Sequence, residues 1–338
     1  MPGSYVYNKC MTTKFARYLL DSSHRIAMPI GIYAGLEITG GTVREAVSDP
    51  QVQTDAILAL HKQFDTVALL TAMDLSAEAE AFGCTVRMDD EEIPTVLGRL
   101  VTSPEGIAAL AVPEVGAART GVHLQTVRNL AKQGNGLPVL GGVIGPFSLA
   151  GRIFGVSEAL ELSLSDPEAL DALVTKAAAF LSAYVGAFRD AGAAGVIMAE
   201  PTAGLLSPRG MGRFSSRFVR QIIEATRSDD FTLMYHNCGA KIVHLPKILE
   251  TGAEVFHFGE PMDIVSALPK VDSRIVLGGN LDPTSVFYSG TPGDVRKLTR
   301  NLLDRTREYR NYFISSGCDL PPHTPIENLE AFYSEVRR

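Results

Sequence analysis

Cysteine is scarce in this chain of 338 residues: Cys10, Cys84, Cys238 and Cys318 are all it has. Four scattered residues cannot build a disulfide framework for a protein this size, so each is either a small buried hydrophobe or a chemically employed thiol. Basic runs are missing as well. Lys and Arg number 31 against 38 Asp and Glu, a formal charge of −7, and no basic helix could track a phosphate backbone, which excludes nucleic acid as an expected partner. No apolar stretch approaches the length that spans a bilayer, and the N-terminal MPGSYVYNKCMTTKFARYLL lacks the apolar region and cleavage site of a secretory signal. A cytoplasmic protein with no membrane partner is the expectation. There is no Gly-rich phosphate fingerprint after the first strand-like run and no Pro/Ser-rich linker, so residues 1–338 read as one domain with an N-terminal helical extension over 1–27, acting as a monomer or homodimer.

What the chain has instead is alternation. From Pro29 onward, short runs rich in Val, Ile and Leu alternate with longer amphipathic stretches, the pattern of βα units whose strands are buried on both faces. Eight such runs occupy 28–33, 66–71, 137–145, 194–201, 231–239, 253–261, 274–283 and 311–318. Between them, 167–192 repeats apolar residues at spacings of three and four and ends in Gly192 as a C-cap. Thr291-Pro292 opens another helical stretch with a capping hydroxyl and a first-turn proline. This order predicts an α/β chain folded as a (β/α)8 TIM barrel, with a doubly wound open sheet as the alternative. Residues 71–137 are too long for one crossover, and their charged CTVRMDDEEIPTVLG predicts an insertion after the second strand, over the mouth or side of the barrel.

In such a barrel the active site is built just past the C-terminal ends of the strands. Those positions are Asp74, Gly145 and Pro146, Glu200, His236 and Cys238, Glu260, Asn280 and Asp282, and Cys318. Residues two apart on a strand share a face, so His236 and Cys238 can both point into the mouth. The eighth run lies across the mouth from the fifth, so Cys318 can converge on the same point. One imidazole and two thiolates suit Zn²⁺ and leave a fourth position for a carboxylate, water or substrate, as in a catalytic site. A His-x-Cys pair alone more often means a packed histidine beside a buried thiol; the distant Cys318, after SSG at a strand end, shifts the balance toward metal. Cys10 and Cys84 read as inert. His257 reads as a core or helix-facing histidine, His244 as a surface or supporting residue, and the direction of His323, after two prolines, is unreadable.

Together YHNCG, GNLDP with GTPGDV behind it, GPFSLAG, AEPTAGLLSP and SSGCDLPPHTPIENL resemble the uroporphyrinogen decarboxylase superfamily. Within it they resemble the corrinoid-dependent methyltransferase branch, the methylcobamide:coenzyme M methyltransferases, from about Thr13 to the C-terminus. The decarboxylases carry an arginine-bearing MRQAGRY-like segment after the first strand, whereas IGIYAGLEITGGTV has no arginine before Arg44, and Ser316-Gly317-Cys318 stands where they have Gly-His. A metal-free decarboxylase or a non-catalytic corrinoid-binding protein are the rival readings.

The resemblance implies zinc held by His236, Cys238 and Cys318. It also implies a methylcorrinoid, carried by a corrinoid protein, as methyl donor and a small thiol such as coenzyme M as acceptor, with homocysteine or a folate as alternatives. Glu200 and Glu260 are the candidate catalytic carboxylates. Glu260 would be a fourth metal ligand displaced by the thiol, or else a solvated turn carboxylate. Glu200 would shape the mouth or contact the corrinoid, or else support a ligand or a helix start. Gly145 and Pro146 would let a large planar ligand approach the backbone, and Asn280 and Asp282 would line the pocket or make the Asn-x-Asp-Pro turn.

Overall fold

In the computed structural model, which describes residues 12–338, every long apolar run has become a strand or its equivalent. The strands are β1 (Leu69–Leu70), β2 (Thr85–Arg87), β3 (Thr95–Leu97), β4 (Val139–Ile144), β5 (Gly195–Ala199), β6 (Thr232–Asn237), β7 (Val255–Phe258), β8 (Val276–Leu281) and β9 (Tyr312–Ser316). Seven of them form one parallel sheet in the order β1-β4-β5-β6-β7-β8-β9, curled with helices outside it, the (β/α)8 arrangement expected.

The first predicted strand departs from regularity. Residues 26–32 fill the eighth place beside β9, but only through a single parallel bridge from Ala27 to Ile314, with Met28 N–H donating to the Ile314 carbonyl (3.0 Å) and Ile314 N–H to that of Ile26 (3.0 Å). The backbone ladder stops there, because Ile30 N–H donates to the Ser316 hydroxyl (3.0 Å) and not to a backbone carbonyl. Beyond it, Gly31 packs so close to Leu320 that a Cβ would sit 2.8 Å from that side chain.

Below the barrel lies the described part of the N-terminal extension, a helix at Lys14–Asp21 that buries Phe15, Ala16 and Leu19. Thr13 ties it there, its N–H and hydroxyl donating to Glu254 (2.8 and 2.7 Å) and its hydroxyl accepting from Thr232 (2.6 Å), at the N-terminal ends of β7 and β6. Cys10 falls outside the described residues. Cys84 lies in the core as expected of an inert thiol, and burial pushes its pKa up to about 11.

The insertion is real and contains an antiparallel hairpin, β2 with β3, preceded by the helix Ala77–Phe82 and followed by Pro104–Ala109 and Thr120–Gln133. Residues at the hairpin's turn reach other loops. Arg44 pairs with Asp90 (2.6 Å), and His323 lies between Glu37 (2.7 Å) and Glu91 (2.6 Å), so the insertion does border the C-terminal loops.

One expectation needs correcting. Pro167–Asp190 is long and apolar enough, by composition, to cross a membrane. Half of it is buried inside the fold: Leu170, Leu173, Val174, Phe180, Leu181, Tyr184 and Phe188 face inward, and the Phe188 ring occupies the space where Gly141 of β4 would carry a Cβ. Its apolarity is that of a core helix. As predicted, it ends at Gly192, in the left-handed region at φ 101°.

Two positions set the tolerance of this frame. Gly195 pairs with Thr232, and a Cβ there would lie 2.1 Å from the Thr232 carbonyl oxygen, which the β5–β6 ladder prevents from moving. Thr291 accepts from Asp294 N–H (3.2 Å) and Asp294 returns the bond, a capping box on Pro292–Thr306. In urea titration, Gly195→Ala is expected to cost about 3 kcal/mol and Thr291→Ala about 1 kcal/mol. Equal small losses would contradict the ladder packing described.

Candidate metal centre at the C-terminal mouth

All six residues of β6 are buried, and its end delivers the site. His236 is the penultimate residue and Cys238 follows the strand directly. Asn237 shapes the turn between them and the loop beyond: its amide donates to the Glu200 carbonyl (2.7 Å) and its side-chain oxygen accepts from Gly239 N–H (3.1 Å). Gly259, past the end of β7, lets that turn close in, since a Cβ there would meet the Cys238 carbonyl oxygen at 2.3 Å. From β9 the chain passes Gly317, whose N–H donates to the Leu281 carbonyl (2.5 Å), and presents Cys318.

His236 Nε2 lies 3.6 Å from Cys318 Sγ, and the donor atoms of His236, Cys238 and Cys318 all lie within 4.8 Å of one another. His236 is 2% exposed and both cysteines are half-buried. Tetrahedral coordination with Zn–N about 2.05 Å and Zn–S about 2.3 Å sets an N-to-S separation of about 3.6 Å. The three residues could therefore hold such an ion with little movement.

The two thiols titrate as a pair. Cys238 is held well below the ordinary thiol range, first by the hydrogen bond from Cys318 and then by His236, against the opposing effect of burial; Cys318, which keeps the shared proton, is raised. Asp319, the next residue, has both carboxyl oxygens buried without a partner, and burial pushes its pKa up to about 7.

The other predicted site residues lie elsewhere. Glu260 is exposed, and its carboxylate is not part of the metal-competent group, because β7 ends at Phe258 and the turn through Gly259 carries Glu260 outward. Glu200 does not line the mouth. It is 0% exposed and its carboxylate accepts four hydrogen bonds, from Phe147 N–H (2.9 Å), Ser148 N–H (2.9 Å), the Ser148 hydroxyl (2.7 Å) and the Ser215 hydroxyl (3.0 Å). It is the anion at the start of the helix Pro146–Phe154, with burial raising its pKa against those bonds.

Gly145 is correspondingly a glycine for Glu200, not for a planar ligand: a Cβ would overlap the Glu200 side chain at 2.1 Å. Pro146 is buried at the first position of that helix. Asn280 donates to the Gly259 (3.0 Å) and Met262 (2.6 Å) carbonyls, and Asp282 caps the helical turn Pro283–Tyr288 through Ser285 N–H (2.5 Å), so both hold loops.

His257 lies in the core, as one of its two sequence readings had it, but its place beside the site was not foreseen. It stands beside His236 in the β6–β7 register, fully buried, with the two Nδ1 atoms 2.8 Å apart and its Nε2 2.7 Å from the Ser315 hydroxyl. A histidine next to a histidine on neighbouring strands was the available signal, but it needs the register. His244 accepts from Lys241 N–H (3.0 Å) and reaches the Leu206 carbonyl (3.2 Å), bracing the loop after β5. Asp74, at the rim, is bound to Arg119, which also holds Glu80 (2.7 Å) and the Ser76 hydroxyl (2.9 Å).

Residues 25–338 match the family model described as Uroporphyrinogen decarboxylase (URO-D). The chain is 29% identical over 299 residues to the Methylcobamide:CoM methyltransferase MtbA of Methanosarcina acetivorans, covering 87% of this chain and 86% of that one. It is 25% identical over 319 residues to the Uroporphyrinogen decarboxylase of Pseudoalteromonas atlantica, covering 90% and 88%. Its fold matches that of a methyltransferase from Methanosarcina mazei with a TM-score of 0.86 at 21% identity, over 96% of this chain and 97% of that one.

A structural Glu200 and a reactive one make different predictions. Glu200→Gln places an amide N–H against donors that the carboxylate satisfied, at an expected cost of about 2–4 kcal/mol in urea titration. The folded variant is expected to keep its metal content, because no Glu200 atom belongs to the donor group. Full stability together with lost turnover would return Glu200 to the chemistry.

Proposed function

The chain belongs to the uroporphyrinogen decarboxylase family, and from that premise we propose that it is a methyltransferase moving a methyl group from a methylated corrinoid to a small thiol such as coenzyme M. The observation that carries this reading is the convergence of His236, Cys238 and Cys318 within 4.8 Å at the mouth, a donor set suited to zinc and not required by metal-free decarboxylation. The named methyltransferase relative supports it. Decarboxylation of a porphyrinogen needs cations for many carboxylates, yet no arginine lies between Ile30 and Val43. Arg25 is committed to the carbonyls of Thr306 (2.8 Å), Tyr309 (2.8 Å) and Tyr312 (2.5 Å).

His236, Cys238 and Cys318 would hold zinc, which when bound supplies a Lewis acid that lowers the pKa of the acceptor thiol so that it is thiolate near neutral pH. The two cysteine thiolates cancel the charge of a divalent ion, which keeps an added sulfur electron-rich. The acceptor sulfur would then attack the methyl carbon of the methyl-Co(III) corrinoid substrate: the S–C bond would form as the Co–C bond breaks, the electron pair would stay on cobalt as Co(I), and the thiol proton would go to solvent. The barrel holds the thiol at a fixed point facing a corrinoid delivered on its partner protein, so its share is proximity and orientation. Residues 1–338 would act as a single domain in this role.

The acceptor's other end is the finer question. Arg213 is engaged by Glu168 (3.3 Å) and Asp171 (3.4 Å).

Purified protein is expected to carry about one zinc per chain, lost in Cys238→Ala and Cys318→Ala; zinc retained in both would remove the triad from consideration. With methylcobalamin as donor, thiol-dependent loss of the methyl-cobalt absorbance is expected with at least one of coenzyme M and homocysteine. It should disappear in His236→Ala while the circular-dichroism spectrum is kept. Demethylation with neither thiol would leave a corrinoid-binding protein without turnover.

A further inference from the structure

His236 can bind a metal through Nε2 only if its proton resides on Nδ1, and a neutral imidazole in solution is free to carry it on either nitrogen. The surroundings of His236 remove that freedom, and the direction of each hydrogen bond can be followed from a fixed end. The Ser315 hydroxyl lies 2.7 Å from the Met28 carbonyl oxygen, which can only accept, so the single hydroxyl proton points to Met28. Toward His257 Nε2, also 2.7 Å away, Ser315 is then the acceptor, and His257 carries its proton on Nε2.

His257 is 0% exposed, and its Nδ1 lies 2.8 Å from His236 Nδ1, a separation that holds one proton between the two nitrogens and not two. With the His257 proton on Nε2, its Nδ1 offers a lone pair. That lone pair faces His236 Nδ1 at 2.8 Å, which must donate. The proton of His236 is thereby placed on Nδ1, and its Nε2 is left bare, 3.6 Å from Cys318 Sγ.

Building on the metal-site reading above, we propose that Ser315 and His257 are positioning residues that hold His236 in the Nδ1–H tautomer, with its Nε2 lone pair aimed at the point shared with Cys238 and Cys318. The relay spans four elements: the segment holding Met28, then β9, β7 and β6. Its anchor is a backbone carbonyl in the segment that joins the barrel wall through an isolated bridge and not a regular ladder. The irregular first strand therefore has a use: the Met28 N–H closes the sheet on the Ile314 carbonyl, while the Met28 carbonyl receives the Ser315 side-chain proton.

The test uses the full chain stripped of metal. Long-range ¹H–¹⁵N correlation of its histidine rings, assigned with His236→Ala and His257→Phe, is expected to show His236 protonated on Nδ1 and His257 on Nε2. Ser315→Ala removes the fixed end, and His257 can then turn its proton toward His236. The expected result is mixed tautomers at both rings and about 10–100-fold weaker zinc binding in competition with a chromophoric chelator.

A role in packing alone would leave the tautomers unmoved. His236 protonated on Nε2 in the unaltered chain, or unchanged tautomers in Ser315→Ala, would overturn the proposal. If the unaltered chain binds no zinc, the metal-site reading fails, while the tautomer measurement still decides the relay. Should His257→Phe fail to fold, the Ser315→Ala spectra carry the decision.

Discussion

The parallel register of β5, β6 and β7 is the constraint on which the site depends. Ala199 pairs with His236 and His236 with His257, so the end of β6 stands level with the start of the loop after β5 and with a second imidazole on β7. A slip of one residue in β6 would turn His236 out of the mouth and bring Tyr235 or Asn237 in. Both of those are committed elsewhere: Tyr235 is buried against Phe256 at 6.2 Å between ring centroids, and Asn237 shapes the turn. The register is thus specified by packing on both faces, and the metal-competent geometry follows from it.

Glu200 supports that register from the neighbouring loop. A carboxylate at zero exposure is expensive unless its lone pairs are filled, and four donors fill them. Two of the donors are backbone N–H groups at the start of Pro146–Phe154, one is the hydroxyl of Ser148 on the same helix, and the last comes from Ser215. The backbone of Glu200 is tied in too, its N–H donating to the His236 carbonyl (2.8 Å) and its carbonyl accepting from Asn237. One residue therefore joins the helix after β4, the loop after β5 and the end of β6. That explains why its neighbour across the turn is Gly145, where any side chain would collide with it.

The barrel was legible in the chain because strands buried on both faces are written as short apolar runs, and six of the eight runs hold strands of four to six residues. The metal-competent triad was legible for the same reason: strand ends fall at predictable places, and cysteine is rare enough that two at one rim stand out. The carboxylates were not. Glu200 and Glu260 occupy equivalent rim positions in sequence, yet one points into a helix N-terminus and the other into solvent, a difference set by turns of two or three residues after the strand. His257 was expected in the core and is there, but its contact with His236 was not foreseen, because that neighbour lies 21 residues away on another strand and pairing between strands is invisible without the register. The regular first strand failed beyond Ala27, where the hydroxyls of Ser315 and Ser316 engage the Met28 carbonyl and the Ile30 N–H in place of a backbone ladder, which a run of apolar residues conceals.

The charge at the mouth closes the account. Two fully ionised thiolates side by side in a half-buried site would repel each other with little water to screen them, so the pair keeps one proton between Cys238 and Cys318. A divalent cation taken up there would displace the shared proton and meet two negative charges with its own two, so that the centre would be neutral and would not repel an anionic sulfur. Around it the fully buried His257 and Ser315 hold direction without adding charge. Orientation thus comes from uncharged groups and nucleophilicity from the two thiolates, and the barrel can set each without disturbing the other.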